Sequence, residues 1–73
     1  MTIEQFLLDN PLRPAHPECW ATNFCYALDW VEGIVNKDLQ GLNIRDLLEV
    51  LSSRYDVSDL ILLDEFERLG GNQ

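Results

Sequence analysis

Apolar residues recur at steps of three and four along most of this chain, and that period predicts α-helices. The longest apolar stripe lies in the middle of the sequence and comprises Trp20, Phe24, Ala27, Leu28, Val31, Ile34 and Val35. A second stripe consists of Ile44, Leu47, Leu48, Leu51 and Tyr55, and a third of Leu62, Leu63, Phe66 and Leu69. We expect each stripe to be the core-facing side of one helix.

A further short helix near the N-terminus is predicted from the residues at its ends. Thr2 and Gln5 fit a capping box, in which each side chain satisfies a free backbone N–H at the helix start. Pro11 disfavours helical geometry at Asn10, so we expect this helix to span residues 3–9. Because it is too short to persist alone, it should dock on the rest of the chain.

The other three helices are also delimited by residues that favour helix ends. Pro17 suits a first helical position, which predicts a helix over residues 17–36. Asn43 and Ser58 are the predicted N-caps of the two later helices, and Gly70 should end the last one. The sequence therefore predicts an all-α fold, a compact bundle of about four helices with a C-terminal helix hairpin.

The length and composition fit one domain. The chain has 73 residues, of which 47% are hydrophobic, so we expect residues 1–73 to form a single acidic helical domain with a small core. Three prolines fall within residues 10–17, which should form a stiff connector between the first two helices. Residues 70–73 follow the last helix and should fray.

The chain is strongly acidic, with 13 acidic residues, 5 basic residues and a formal net charge of −8. A protein of this charge is repelled by nucleic acid and anionic membranes and is attracted to basic surfaces. Alternatively, the charge only provides solubility. The first ten residues show no signal-peptide pattern, and no uninterrupted apolar run is longer than five residues. We therefore expect a cytoplasmic protein.

The sequence offers little material for catalysis or metal binding. His16, Cys19 and Cys25 are its only histidine and cysteines, whereas a structural zinc site needs four ligands. The two cysteines would lie roughly 9 Å apart along one helix, which is too far for a disulfide, so we expect free thiols. The sequence also contains no glycine-rich phosphate loop. We expect a non-enzymatic protein without a metal or cofactor.

One local pattern resembles a known motif. In LSSRYDVS, an apolar helix face leads into a short turn and then into a serine that can start a second helix. The spacing resembles helix-turn-helix domains over residues 44–69, and the matching positions are Leu51, Arg54, Tyr55, Val57 and Ser58. Asp56 stands where that family usually has glycine, but aspartate tolerates a left-handed backbone better than most residues. The resemblance implies two helices joined tightly, the second of which would read DNA.

The chemistry of that second helix differs from the family's. The positions that would face the bases hold Asp59, Leu60 and Asp64, with Ile61 beside them, and none of these residues is a good ligand for phosphate or guanine. We therefore expect the hairpin to bind protein. The short, acidic, all-helical format with such a hairpin also resembles small phage-encoded regulators of host RNA polymerase. That resemblance implies a regulatory partner but assigns no residues.

The leading hypothesis is a small protein-binding regulator that inhibits or modulates a basic macromolecular machine such as RNA polymerase, and so acts in transcription regulation. The predicted partner-binding residues are Asp59, Leu60, Ile61, Asp64, Glu65 and Arg68 on the last helix, with Tyr26 and Trp30 on the flank of the second. Tyr26 and Trp30 have an alternative explanation, because the first helix or the connector could simply cover them.

Three other functions fit the same sequence. The chain could be a nucleic-acid mimic that inhibits a host defence or repair enzyme, an atypical helix-turn-helix DNA-binding repressor, or a non-catalytic homodimer or assembly subunit. Compared with these three alternatives, the charge and the hairpin together favour the leading hypothesis, in which a monomer binds a protein with a basic surface. No direct contact with nucleic acid or membrane is expected.

Overall fold

The computed structural model describes residues 2–37, 39 and 41–71, and within them the chain forms helices and no strands. The four α-helices are α1 (Ile3–Asp9), α2 (Trp20–Val35), α3 (Ile44–Tyr55) and α4 (Asp59–Arg68). The predicted all-α bundle of about four helices is confirmed. In the described part of the chain, no helix is both long enough and apolar enough to cross a membrane. The predicted fraying at residues 72 and 73 lies outside the described residues.

The core forms where α2, α3 and α4 pack against one another in all three pairings. Its buried side chains come from the predicted stripes, with α1 and the α3–α4 turn adding one each: Phe6, Ala27, Val31, Ile34, Ile44, Leu47, Leu48, Leu51, Tyr55, Val57, Leu62 and Phe66. No charged side chain of the described residues is buried. The acidic residues in that part of the chain therefore lie on the surface, where they can act on a partner.

The predicted N-terminal caps account for the first residues of α1 and α3. The Gln5 N–H donates to the Thr2 hydroxyl at 3.1 Å, and the Thr2 N–H donates to the Gln5 side-chain carbonyl at 2.9 Å, which completes the capping box. The Asn43 side chain accepts hydrogen bonds from the N–H groups of Arg45 and Asp46. Both helices therefore begin where the sequence predicts.

The start of α2 differs from the prediction. The sequence predicts Pro17 as the first helical residue, but α2 begins three residues later at Trp20. The Asn23 side chain explains the delay, because it accepts a hydrogen bond from the His16 N–H and donates one of 3.0 Å to the His16 carbonyl. These bonds hold the end of the connector against the first turn of α2 in a non-helical conformation.

The turn between α3 and α4 depends on a left-handed residue. Asp56 has φ 56° and ψ 47°, and its N–H bonds to the Ser52 carbonyl to close α3. The Trp20 indole N–H donates to the Asp56 carbonyl at 3.1 Å. The prediction that Trp20 faces the core is wrong, because its side chain is 56% exposed and stacks on Phe24 at the end of the bundle.

Candidate functional site

The residues predicted to bind a partner on α4 share its solvent side. We call this surface the α4 outer face, and it comprises Asp59, Leu60, Ile61, Asp64, Glu65 and Arg68. Leu60 is 71% exposed and Ile61 is 45% exposed, although both are large apolar side chains. Their helix neighbours Leu62 and Phe66 are fully buried on the opposite side. Core packing on α4 is therefore complete without Leu60 and Ile61, so the fold itself gives no reason for their exposure.

The charges of the α4 outer face are not equivalent. The Arg68 guanidinium forms an ion pair with the Glu65 carboxylate, and this hydrogen-bonded contact raises the pKa of Arg68. The Glu65 side chain is only 19% exposed. Asp59 and Asp64 are exposed and form no ion pair among the described residues. Glu65 is therefore paired directly with Arg68, whereas Asp59 and Asp64 present exposed carboxylates and leave this face with a net negative charge.

The α4 outer face is convex. The groove beside it, between α3 and α4, is lined by Leu48 and Leu60 among others and has a volume of only ≈ 50 Å³. A space of that size holds water but no partner side chain. Contact through this face would therefore insert Leu60 and Ile61 into a partner, because the groove beside them is too small to receive a partner side chain.

Tyr26 and Trp30 lie on the flank of α2 and are each half-buried. The Arg13 guanidinium from the connector sits 5.1 Å from the centre of the Tyr26 ring, in cation–π geometry. Trp30 makes an edge-to-face contact with Phe6 of α1 at 5.8 Å. The connector and α1 therefore each cover part of one ring, as the alternative explanation expects.

A cleft remains beside these two rings. It has a volume of ≈ 260 Å³ and lies between the connector and the C-terminal half of α2. We call it the α2 cleft, and its lining includes Asn10, Pro11, Arg13, Tyr26, Asp29, Trp30, Gly33, Ile34, Lys37 and Tyr55. The sequence predicts Tyr26 and Trp30 as partner-binding residues but not the contribution of Arg13 and Lys37. The sequence does contain one indication of an open surface here, which is Gly33, because glycine is unfavourable in the interior of a helix such as α2.

The cysteines supply no assembled site. The prediction that both cysteines lie within one helix is wrong, because Cys19 is the N-cap of α2 and only Cys25 lies inside it, where it is exposed. Both cysteines are free thiols. Hydrogen bonds from Thr22, first from its side chain and then from its N–H, lower the pKa of the Cys19 thiol. Among the described residues, no three His, Cys, Asp or Glu side chains cluster closely enough to hold a metal ion.

The described residues thus present two surfaces of different character. The α4 outer face is convex, apolar at its centre and acidic at its edge, whereas the α2 cleft is concave, aromatic and flanked by two cations. Both are suited to recognition through side chains already in place. Comparison of the chain with protein-family models, with curated proteins and with solved structures found no match.

Proposed function

We propose that this protein is a non-catalytic regulator that docks its α4 outer face on a basic surface of a larger protein machine. The observation that carries the proposal is the exposure of Leu60 and Ile61 beside the exposed carboxylates of Asp59 and Asp64. Exposed apolar side chains rimmed by polar groups are typical of protein-binding surfaces. RNA polymerase is a suitable partner class, because the surfaces on which such machines hold nucleic acid are basic.

The two kinds of side chain would have separate roles in docking. The carboxylates of Asp59 and Asp64 would attract and orient a cationic partner, which acts mainly on the association rate. Leu60 and Ile61 would be desolvated in the contact, which acts mainly on the dissociation rate. Regulation would then be steric, because the bound protein occupies a surface that the machine needs for nucleic acid.

The test begins with the full chain as bait in an extract of its native source, followed by association-rate measurements on the purified captured partner. The Asp59→Lys/Asp64→Lys variant should associate at least about tenfold more slowly at low salt, with the difference shrinking as salt rises. A matched control is Glu4→Lys/Asp9→Lys, which reverses two exposed acids on α1. Each reversal adds two positive charges, so both variants carry a net charge of −4 instead of −8.

Comparison of the two variants separates attraction by the carboxylates of the α4 outer face from attraction by the net charge of the whole protein. Equal slowing in both variants would mean that the net charge alone attracts the partner, and the assignment of the α4 outer face would fail. A captured partner that still binds Leu60→Ser/Ile61→Ser with unchanged affinity would overturn the apolar half of the proposal. Both side chains of that variant are exposed, so the fold should be retained.

The nucleic-acid alternatives predict different results from a single pair of assays. A DNA-binding repressor should shift random duplex at low salt and release it as salt rises. A nucleic-acid mimic should compete with DNA for the captured partner while tolerating Leu60→Ser/Ile61→Ser. The apolar centre of the α4 outer face favours the regulator over the mimic, because a phosphate-like surface has no use for two exposed aliphatic side chains.

A further inference from the structure

The α2 cleft has walls that the fold holds in place. On one side, the Tyr55 hydroxyl donates a hydrogen bond of 2.7 Å to the Arg13 carbonyl, which fixes the connector to the end of α3. On the other side, Trp30 is backed by Phe6 and is part of α2. Because both walls are anchored, the cleft is preformed. Ligand binding would therefore not include a free-energy cost for ordering the cleft.

Gly33 keeps the cleft open. It lies in the interior of α2, where glycine weakens a helix relative to alanine. A Cβ atom added at Gly33 would meet no atom within 4 Å outside the helix's own backbone, so the packing of the fold does not require glycine here. Its φ also lies outside the left-handed region that favours glycine. What the missing side chain does provide is open space above α2, next to Trp30.

The net charge around the cleft has the opposite sign to the net charge of the whole protein. Arg13 and Lys37 line it, and they are two of the five basic residues in the chain. Neither forms an ion pair with a carboxylate among the described residues, although acidic residues outnumber basic ones by more than two to one. Asp29 also lines the cleft. The cleft therefore carries an excess of one positive charge and is the place where a carboxylate would be accepted.

We propose that the α2 cleft binds one aromatic or large aliphatic side chain flanked by carboxylates, presented by an exposed acidic segment of a protein partner. The volume of ≈ 260 Å³ suits a single side chain better than a cofactor or a larger ligand. Tyr26 and Trp30 supply the apolar contact, while Arg13 and Lys37 meet the flanking carboxylates. No residue of α4 takes part, so this inference does not rest on the α4 outer face.

The test is a titration of the isotope-labelled full chain, followed by NMR, with the peptide acetyl-Glu-Phe-Glu-amide. The Gly33 amide and the Trp30 indole N–H should shift, whereas acetyl-Glu-Ala-Glu-amide and acetyl-Lys-Phe-Lys-amide should give much smaller shifts. Gly33→Leu should fill the cleft and weaken binding about tenfold or more. Gly33→Ala is the matched control, because it strengthens the helix in the same way but leaves the cleft open.

Two charge variants give predictions of opposite sign, which a loss of folding could not imitate. Lys37→Gln should weaken binding of the Glu-flanked peptide, and Asp29→Asn should strengthen it, each by about threefold to tenfold. Binding to Gly33→Leu with unchanged affinity would overturn the cleft as the site. Binding of the Lys-flanked peptide as tightly as the Glu-flanked one, or the absence of any shift at millimolar peptide, would overturn the proposed ligand chemistry.

Discussion

The hydroxyl of Tyr55, at the end of α3, donates a hydrogen bond to the backbone carbonyl of Arg13, 42 residues earlier in the connector. Tyr55 is only 1% exposed, so this polar contact forms at the edge of the core. The same two residues both touch Tyr26, whose ring lies edge-on to Tyr55 and beneath the Arg13 guanidinium. This cluster fixes the proline-rich connector to the bundle and forms one wall of the α2 cleft.

Removing the Tyr55 hydroxyl should measure how strongly the connector is held against the bundle. Tyr55→Phe should lower the free energy of unfolding by about 1 kcal/mol or somewhat more, because the Arg13 carbonyl loses its donor at a partly buried position. Urea denaturation gives the value. Tyr26→Phe is the control, because it removes the hydroxyl of the neighbouring tyrosine and leaves the Tyr55–Arg13 hydrogen bond in place. An equal loss in both variants would show that the hydrogen bond is not the cause.

The stability of the protein should also depend on the ionisation of Tyr55. Burial is the main cause that raises the pKa of this side chain above its ordinary value of 10.0. The folded protein then holds the proton more tightly than the unfolded chain does, so the contribution is complete below about pH 10 and is lost as the pH rises through the folded pKa. Above about pH 10, wild-type stability should therefore fall more steeply than that of Tyr55→Phe. Parallel slopes in urea denaturation would contradict this.

The left-handed residue in the α3–α4 turn gives a third test. Asp56→Gly should raise the free energy of unfolding by several tenths of a kcal/mol to about 1 kcal/mol, and Asp56→Ala should lower it by a similar amount. The difference arises because a Cβ atom is strained at φ 56° and alanine has no side-chain oxygen to compensate. Trp20 bonds to the Asp56 backbone carbonyl, which both variants keep. Thermal unfolding that ranks alanine above glycine would be inconsistent with the observed turn.

Two glycines should respond to alanine with opposite signs. Gly33→Ala should raise the free energy of unfolding by about 1 kcal/mol, because it improves the interior of α2 and meets no neighbour. Gly71→Ala should lower it, because a Cβ atom there would lie 2.5 Å from the Phe66 ring. Chemical denaturation of both variants under one set of conditions compares them directly. Loss of stability in Gly33→Ala would mean that Gly33 has a packing role in the fold.

The two sides of α4 should differ in their cost to stability. Leu60→Ala should change the free energy of unfolding by less than about 0.5 kcal/mol, because the Leu60 side chain is 71% exposed. Leu62→Ala should cost about 2–5 kcal/mol, because Leu62 is 0% exposed and its loss leaves a cavity. A large cost at Leu60 would show that this residue is held by the fold and is not available to a partner.

The helix boundaries set by short-range signals could be predicted from the sequence. The capping box at Thr2 and Gln5 and the cap at Asn43 depend on residues within three positions, and the structure confirms both. The start of α2 could not be predicted in the same way. It depends on Asn23 reaching back seven residues to the His16 backbone, and no helix-capping rule describes that contact.

The candidate surfaces were predictable to different degrees. Periodicity alone separates Leu60 and Ile61 from the buried side of α4, so their exposure follows from the sequence. The pairing of Glu65 with Arg68 was not foreseen, although the two residues are three positions apart on one helix. The α2 cleft depends on where the connector packs, and a long-range bond such as that from Tyr55 leaves no trace in local patterns.

The fluorescence of the two tryptophans reports on two different parts of the molecule, the α3–α4 turn and the α2 cleft. The Trp20 indole is bonded to the carbonyl of the α3–α4 turn, whereas Trp30 borders the α2 cleft and contacts α1. In Trp20→Phe, the remaining emission would follow occupation of the cleft, and in Trp30→Phe it would follow the integrity of the turn. Fluorescence from such single-tryptophan variants can therefore distinguish, in one titration, a partner that fills the cleft from one that disturbs the hairpin.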